Sequence, residues 1–296
     1  MKILITGANG FLGYYLCRQL LNSDYDVVAT GRGICRLPYT NDKNFVYAEM
    51  DFTDQEAVKN VFREHRPAII VHAGAMSRPD ECELDRSKAY KINTEATAAL
   101  LSEATEYKSS FIYISTDFVF DGEKGMYTEE DIPGPVNFYG QTKLDAEKTV
   151  KQYKYSWSIV RTVLVYGKPM SGRSNILTVV KDKLEKGEEY RVVDDQVRTP
   201  TYVGDLASAI VTMIKYKTNG IFHISGEDIL TPYEMACKAA DYLCLNKELI
   251  KRVTANTFSQ PAKRPPRTGF IIEKARKELV FSPISFLEGL KKTFGD

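Results

Sequence analysis

The sequence predicts an α/β protein built on a doubly wound parallel sheet, with a smaller C-terminal α/β lobe. Three observations predict it. Short β-branched runs alternate with helical patterns through the first half of the chain. Those runs are apolar along their length rather than every second residue, as strands covered on both faces must be. A glycine triplet, Gly7, Gly10 and Gly13, follows the first run and leads directly into the first helical pattern. Together these features describe a Rossmann-type sheet.

The elements follow in order. "KILIT" (2–6), "DVVAT" (26–30), "FVYAE" (45–49), "AIIVHAG" (68–74) and "SFIYIS" (110–115) read as strands. Between them "FLGYYLCRQLL", "DQEAVKNVFREH" and "SKAYKINTEATAALLSEATEY" place apolar residues at helical spacing. A helix is expected over about 138–152, then a long strand, "WSIVRTVLVYG", over 157–167. Beyond 167 the rhythm changes to the loop "PMSGRSN", the helix "ILTVVKDKLEKG", and then a strand, a polar loop and a helix in "EEYRVVDDQVRTPTYVGDLASAI". "IFHIS" (221–225) is a further strand, and Thr231 and Pro232 suit the cap and first turn of the helix after it. Residues 1–167 thus form the main domain and residues 168–296 mainly the smaller lobe, with no low-complexity linker and no internal repeat.

Composition narrows the function. The 296 residues are 43% hydrophobic and 27% charged, the balance of an ordinary globular protein. A net charge of +1 makes no electrostatic case for nucleic acid or a membrane surface as partner. Five cysteines without a CxxC pair suggest reduced thiols and no structural zinc. "MKILITGANG" has too short an apolar run for a secretory signal, and no stretch has the length of a membrane span. A cytoplasmic location is the expectation.

The chemistry begins at "TGANGFLG". Glycines between a strand and a helix permit a tight turn and let backbone approach a pyrophosphate held on the positive end of the helix. Gly7, Asn9, Gly10, Phe11, Leu12 and Gly13 are therefore the expected dinucleotide cradle. An acid at the end of the second strand would hold a ribose 2′-hydroxyl; the sequence instead has "ATGRG", with Arg32. An arginine there suits a 2′-phosphate through charge-assisted bonds, so NADP(H) is expected, with NAD(H) possible. The strand "SFIYIS" then ends in polar residues, Ser115, Thr116 and Asp117. In "FYGQTKLDAEK", Tyr139 and Lys143 stand four apart on one helix face, where an ammonium favours the phenolate. Thr116, Tyr139 and Lys143 are the expected catalytic residues: two hydroxyls that share a substrate oxygen, and a cation that tunes one of them.

At this point the chain resembles the extended short-chain dehydrogenase/reductase superfamily, and most closely the dTDP-4-dehydrorhamnose reductase family. "TGANGFLG", "STDFVFDG", "YTEEDIPGPVNFYGQTKLDAE", "RTVLVYG", "DDQVRTPTYVGDLA", "FHISG" and "RPPRTGF" followed by "EGLKK" carry the resemblance over nearly the whole chain. It implies that Asp51 and Phe52 lie near the adenine, that His72, Ala73 and Gly74 with the rest of "HAGAMS" wall the nicotinamide ribose, and that Asn93 supports the active site. It further implies that Lys143 helps hold the cofactor, that Arg161 is structural, and that the lobe binds a nucleotide sugar. Ser77, Asp117, Asn175, Arg198 and Arg264 are the substrate-binding candidates; Arg173, Lys263 and Arg267 complete an expected cationic cover over the nicotinamide. The implied reaction is NADPH-dependent reduction of a nucleotide-linked 4-keto-6-deoxyhexose, as in dTDP-rhamnose synthesis.

Three departures bear on that reaction. Tyr15 stands where magnesium-binding members carry Glu, so a homodimer is not expected to be metal-bridged. Leu164 stands where the family often has Trp, and Arg198 where glycine is common. A 4,6-dehydratase would follow Thr116 with an Asp-Glu pair, whereas here Phe118 follows Asp117. An epimerase of the same fold and a non-catalytic NADP-binding subunit, such as the β subunit of methionine adenosyltransferase, are the alternatives.

Overall fold

In the computed structural model, residues 1–170 and 174–295 are described. Seven parallel strands form the central sheet in the order β10-β6-β5-β4-β1-β2-β3. They are β1 (Lys2–Thr6), β2 (Asp26–Gly31), β3 (Phe45–Glu49), β4 (Ile69–His72), β5 (Ser110–Thr116), β6 (Trp157–Thr162) and β10 (Gly220–Ile224). The remaining strands pair off in twos: β7 (Val165–Tyr166) with β9 (Thr201–Tyr202), and β8 (Tyr190–Val193) with β11 (Ile250–Val253). The order reverses between β1 and β4, and that switch point is where a crevice opens beyond the strand ends.

Inward of the edge strand β3 the sheet is buried on both faces, its successive side chains alternating between two cores. Ile3 and Ile5 enter one core and Leu4 the other; Val27 and Ala29 oppose Val28, and Ile112 opposes Phe111 and Tyr113. One face is covered by α1 (Phe11–Leu21) and, beyond it, by α8 (Val203–Tyr216). The other face holds α2 (Gln55–His65), α5 (Ala96–Glu106) and α6 (Phe138–Lys151). The short helices α3 (Pro79–Leu84) and α4 (Arg86–Tyr90) precede a π turn over Lys91–Glu95 that leads into α5.

Beyond β7 the chain builds α7 (Ile176–Glu185) and α9 (Pro232–Tyr242) beside the β8–β11 pair, and it ends in α10 (Glu273–Leu279) and α11 (Phe286–Phe294). Thr231 caps α9 in a reciprocal box with Glu234, and Pro232 opens it. "IFHIS" does not stay in this half: it joins β6 in parallel register, Ile221 beside Ile159, and completes the main sheet. The long strand expected over 157–167 is broken. Leu164 takes φ 33°, a left-handed conformation that ends the pleat, so β7 turns away to pair with β9.

Candidate active site

The loop after β1 is shaped by close approach. Gly7 has φ 69°, and a Cβ there would lie 2.9 Å from the backbone of Gly74. A Cβ on Gly13 would lie 2.4 Å from the Ala8 carbonyl, so α1 can pack on β1 only with glycine there. No side chain caps α1 at Gly10, and its first turn holds no acid. Its positive end therefore carries no acidic neighbour from its own first turn and favours an anion. Phe11 and Leu12 lie in that turn. Asn9 is buried beneath it, accepting from Arg36 N at 2.9 Å and donating to Ile34 O and the Tyr47 hydroxyl at 3.0 and 2.8 Å. Asn9 thereby fixes the loop that carries Arg32.

Beside this loop opens a cavity of about 610 Å³, lined among others by Arg32, Asp51, Phe52, Ser77 and Lys91. Burial pushes the Asp51 carboxyl up, but bonds from Thr53 N (2.9 Å) and Oγ1 (2.8 Å), with Arg32 and Lys91 nearby, hold it below the usual carboxylate range. The Phe52 ring closes on Gly74, where a Cβ would lie 2.4 Å from it. His72 and Ala73 precede that contact. The His72 ring is buried between Thr6 Oγ1 (2.6 Å) and Thr97 Oγ1 (3.1 Å), and burial pushes its pKa down to about 3. His72 is thus a neutral brace at the end of β4. Asn93, in the π turn, accepts from Met76 N at 2.8 Å and donates to Met76 O and Thr142 Oγ1, both at 3.0 Å. It fastens the loop after β4 to α6.

α6 begins at the Asn137 cap, which accepts from Gly140 N at 2.8 Å, and it presents Tyr139 and Lys143 at the carboxyl edge of the sheet. The Tyr139 ring meets Phe118 edge-on at 5.9 Å between centroids. Lys143 is 2% exposed, and burial lowers its pKa to about 7. Both protonation states of this amine are therefore accessible at neutral pH. Thr116 ends β5; its Oγ1 accepts from Phe118 N at 3.2 Å and donates to Asp117 Oδ1 at 3.0 Å.

The expected cationic cover is arranged differently. Arg198 is only 3% exposed and spends its donors on Val197 O, Pro265 O, Pro266 O and Gln196 Oε1, with Asp117 at 3.8 Å. Arg264 holds Asp80 with two bonds, of 2.5 and 2.6 Å, and Arg267 donates to Glu123 O. Asn175 caps α7 and donates to Gly167 O at 2.7 Å; Lys263 is exposed, and Arg173 lies outside the described residues. Arg198, Arg264 and Arg267 thus fasten the segment 262–268 to the rest of the chain. Asp117 is buried beneath that segment, bonded to Thr268 Oγ1, and burial raises its pKa despite Arg198.

The fold also places Glu147, which sequence reasoning did not single out, and settles the surroundings of Ser115, Arg161, Tyr15 and Leu164. Glu147, fully buried on α6, accepts two bonds from Arg161 of β6 (3.0 and 2.7 Å) and one from Ser115 (2.6 Å). Ser115 therefore serves α6. The available signal was spacing: Glu147 stands one helical turn beyond Lys143, on the same face. Tyr15 is buried in the core, with its hydroxyl on Lys168 O at 2.8 Å. Leu164, at 36% exposure, is a strained apolar residue beside the carboxyl edge of β6. Among the described residues no cluster of His, Cys, Asp and Glu could hold a metal, and no helix is long and apolar enough to cross a membrane.

Comparison with known proteins agrees with this fold. The family of the RmlD substrate binding domain matches residues 1–296. The mouse methionine adenosyltransferase 2 subunit beta is 33% identical over 298 residues, covering 99% of this chain and 86% of that protein. The spore coat polysaccharide biosynthesis protein SpsK of Bacillus subtilis is 31% identical, over 98% of this chain and 96% of its own. The crystal structure of dTDP-4-dehydrorhamnose reductase from Bacillus anthracis in complex with NADP superposes with a TM-score of 0.87 at 30% identity, covering 99% and 98% of the two chains. The chain belongs to the extended short-chain dehydrogenase/reductase superfamily and, within it, to the family of the RmlD substrate binding domain.

Proposed function

We propose that the protein binds NADP(H), with NAD(H) as a weaker alternative, and reduces the C4 keto group of a nucleotide-linked 4-keto-6-deoxyhexose; dTDP-4-dehydrorhamnose is the first substrate to try. The observation that carries this reading is buried Lys143 one helical turn from Tyr139, both at the carboxyl edge of the sheet where β5 ends in Thr116. The residues present fit the cofactor. The uncapped start of α1 and the glycines of its loop would hold the pyrophosphate, Arg32 a 2′-phosphate, and Asp51 and Phe52 the adenine end. When bound, the nicotinamide supplies the hydride. Tyr139 then delivers its phenolic proton to the new alkoxide, and Thr116 turns its hydroxyl from Asp117 toward the same oxygen. The Lys143 ammonium offsets the charge left on the phenolate. Residues 168–296 would supply most of the sugar side, with Ser77 facing it from the cavity wall.

A second reading rests on the 33% identity to a protein named as a subunit of methionine adenosyltransferase: NADP(H) binding without turnover, in service of a partner. Mixing the protein with NADPH and a panel of dTDP-, UDP- and GDP-4-keto-6-deoxysugars separates the two, with absorbance following oxidation and fluorescence following binding. Oxidation with one member supports the reductase, and Tyr139→Phe should then lower turnover about 10²–10⁴-fold with little change in NADPH affinity. Sugar interconversion without net oxidation points to an epimerase. Tight NADPH binding with no conversion of any member overturns catalysis in favour of the subunit.

A further inference from the structure

Lys143 presents a problem that its own helix does not solve. An ammonium buried in a protein needs a compensating negative surface, or it sheds its proton. Beneath it lies the ring of Tyr113, from the middle of β5, with Nζ 4.1 Å from the ring centroid. Tyr113 is fully buried, and its hydroxyl lies near Thr97 without a hydrogen bond of good geometry to any described residue. The phenol oxygen is not what holds the residue there; the ring face is what Lys143 meets. The negative face of an aromatic ring attracts a cation most where water is excluded.

We propose that Tyr113 is a positioning residue whose ring face keeps the Lys143 ammonium charged and seated at the carboxyl edge of the sheet. The ring comes from the strand that also ends in Thr116, so one strand supplies both the substrate-side hydroxyl and the support for the lysine. The other titratable groups around Lys143 divide by sign. Glu147 on its own helix and Cys82 on α3 favour the cation, whereas neutral His72 on β4 loses proton affinity to it. Glu147 is already committed to Arg161 and Ser115, whereas the Tyr113 ring faces no second cation among the described residues. The catalytic consequence rests on the reading of Lys143 given above; the effect on its protonation does not.

The test compares Tyr113→Phe with the same site carrying pentafluorophenylalanine, which keeps the ring's shape and reverses the charge of its face. The full chain with isotope-labelled lysine side chains is titrated by nuclear magnetic resonance, with Lys143 assigned from its absence in Lys143→Met. Phenylalanine should hold the Lys143 midpoint near that of the native protein, and the fluorinated ring should lower it by roughly half to one and a half pH units. The alkaline limb of the turnover profile, where the ammonium is lost, should move down by the same amount, which a purely structural defect would not produce. Equal midpoints for the two rings overturn the proposal, whether or not the protein turns over a sugar. A shifted midpoint in a protein that reduces no substrate upholds the proposal and removes the reductase reading alone. Should the fluorinated protein not fold, Tyr113→Leu takes its place, with the same downward shift expected and an unmoved midpoint again decisive.

Discussion

A lysine ammonium moved from water into a protein interior loses solvation that the neutral amine never had, and Lys143 shows the result in its pKa of about 7. The sign for stability follows. Below pH 7 the folded and unfolded chains both hold the proton, and the full cost of burying the charge is present. Between 7 and the usual lysine value only the unfolded chain holds it, so stability rises with pH in that window. From pH 7 to 9 the native protein should gain up to about 2 kcal/mol relative to Lys143→Met, read from urea midpoints at the two pH values. An equal pH response in both proteins would contradict it. Arg32 acts on a different equilibrium. It is exposed at the rim of the 610 Å³ cavity, so Arg32→Ala should leave the fold untouched. Losing one charge-assisted contact should weaken NADPH binding by roughly 1.5–3 kcal/mol and NADH binding hardly at all. Titrating both cofactors against both proteins checks this, and a preference that survives the substitution counts against it. Tyr139, Lys143 and Arg32 were legible because each stands in a local pattern: a helical spacing, or a strand end. Glu147 was not, because its burial depends on an arginine 14 residues away on another element.

At the scale of elements, α6 is held to the sheet by more than apolar packing. Its two site residues face the carboxyl edge, and one turn further on Glu147 locks the same face to β6 and β5 through Arg161 and Ser115. Neither member of the ion pair is more than 1% exposed, so removing one charge leaves the other buried without compensation. Glu147→Gln should cost about 3–5 kcal/mol of stability, whereas the double variant Glu147→Gln with Arg161→Met should recover a good part of it. Denaturant unfolding of both variants reads this directly; a single substitution costing under about 1 kcal/mol would mean that the pair is hydrated. The strands of the sheet were legible for a related reason. A strand covered on both faces must be apolar at every position, and each such run in the first half is a strand. The break at Leu164 was not legible, because "WSIVRTVLVYG" is continuous in composition and only the pairing of β7 with β9 turns the chain.

At the scale of the molecule, the C-terminal half returns to the sheet twice, once as β10 and once as the segment 262–268. The basic character of "AKRPPRTG" suggested a surface for anions, yet a charge pattern does not say which acceptors the fold will bring to it. Here they are the backbone carbonyls of Ala262 and Glu123 and the carboxylate of Asp80. Arg198 is central to this arrangement. It bonds to Pro265 O and Pro266 O, and it sits 3.8 Å from Asp117, directly after Thr116. Arg198→Met keeps most of the volume and removes the charge. The bonds to the two carbonyls are then lost, and Asp117 remains in a site whose burial already raises its pKa. A carboxyl whose folded pKa lies above its unfolded value destabilises the native state as pH rises through that interval, because the native chain must give up a proton it holds more tightly. Without Arg198 the folded value rises further and the interval widens upward. The variant should therefore lose about 3–5 kcal/mol at pH 7 and distinctly less at pH 5, where Asp117 can take up its proton. Urea unfolding at the two pH values tests this. An identical loss at both would mean that the clamp on the 262–268 backbone, and not the charge of Asp117, is what Arg198 supplies to the molecule.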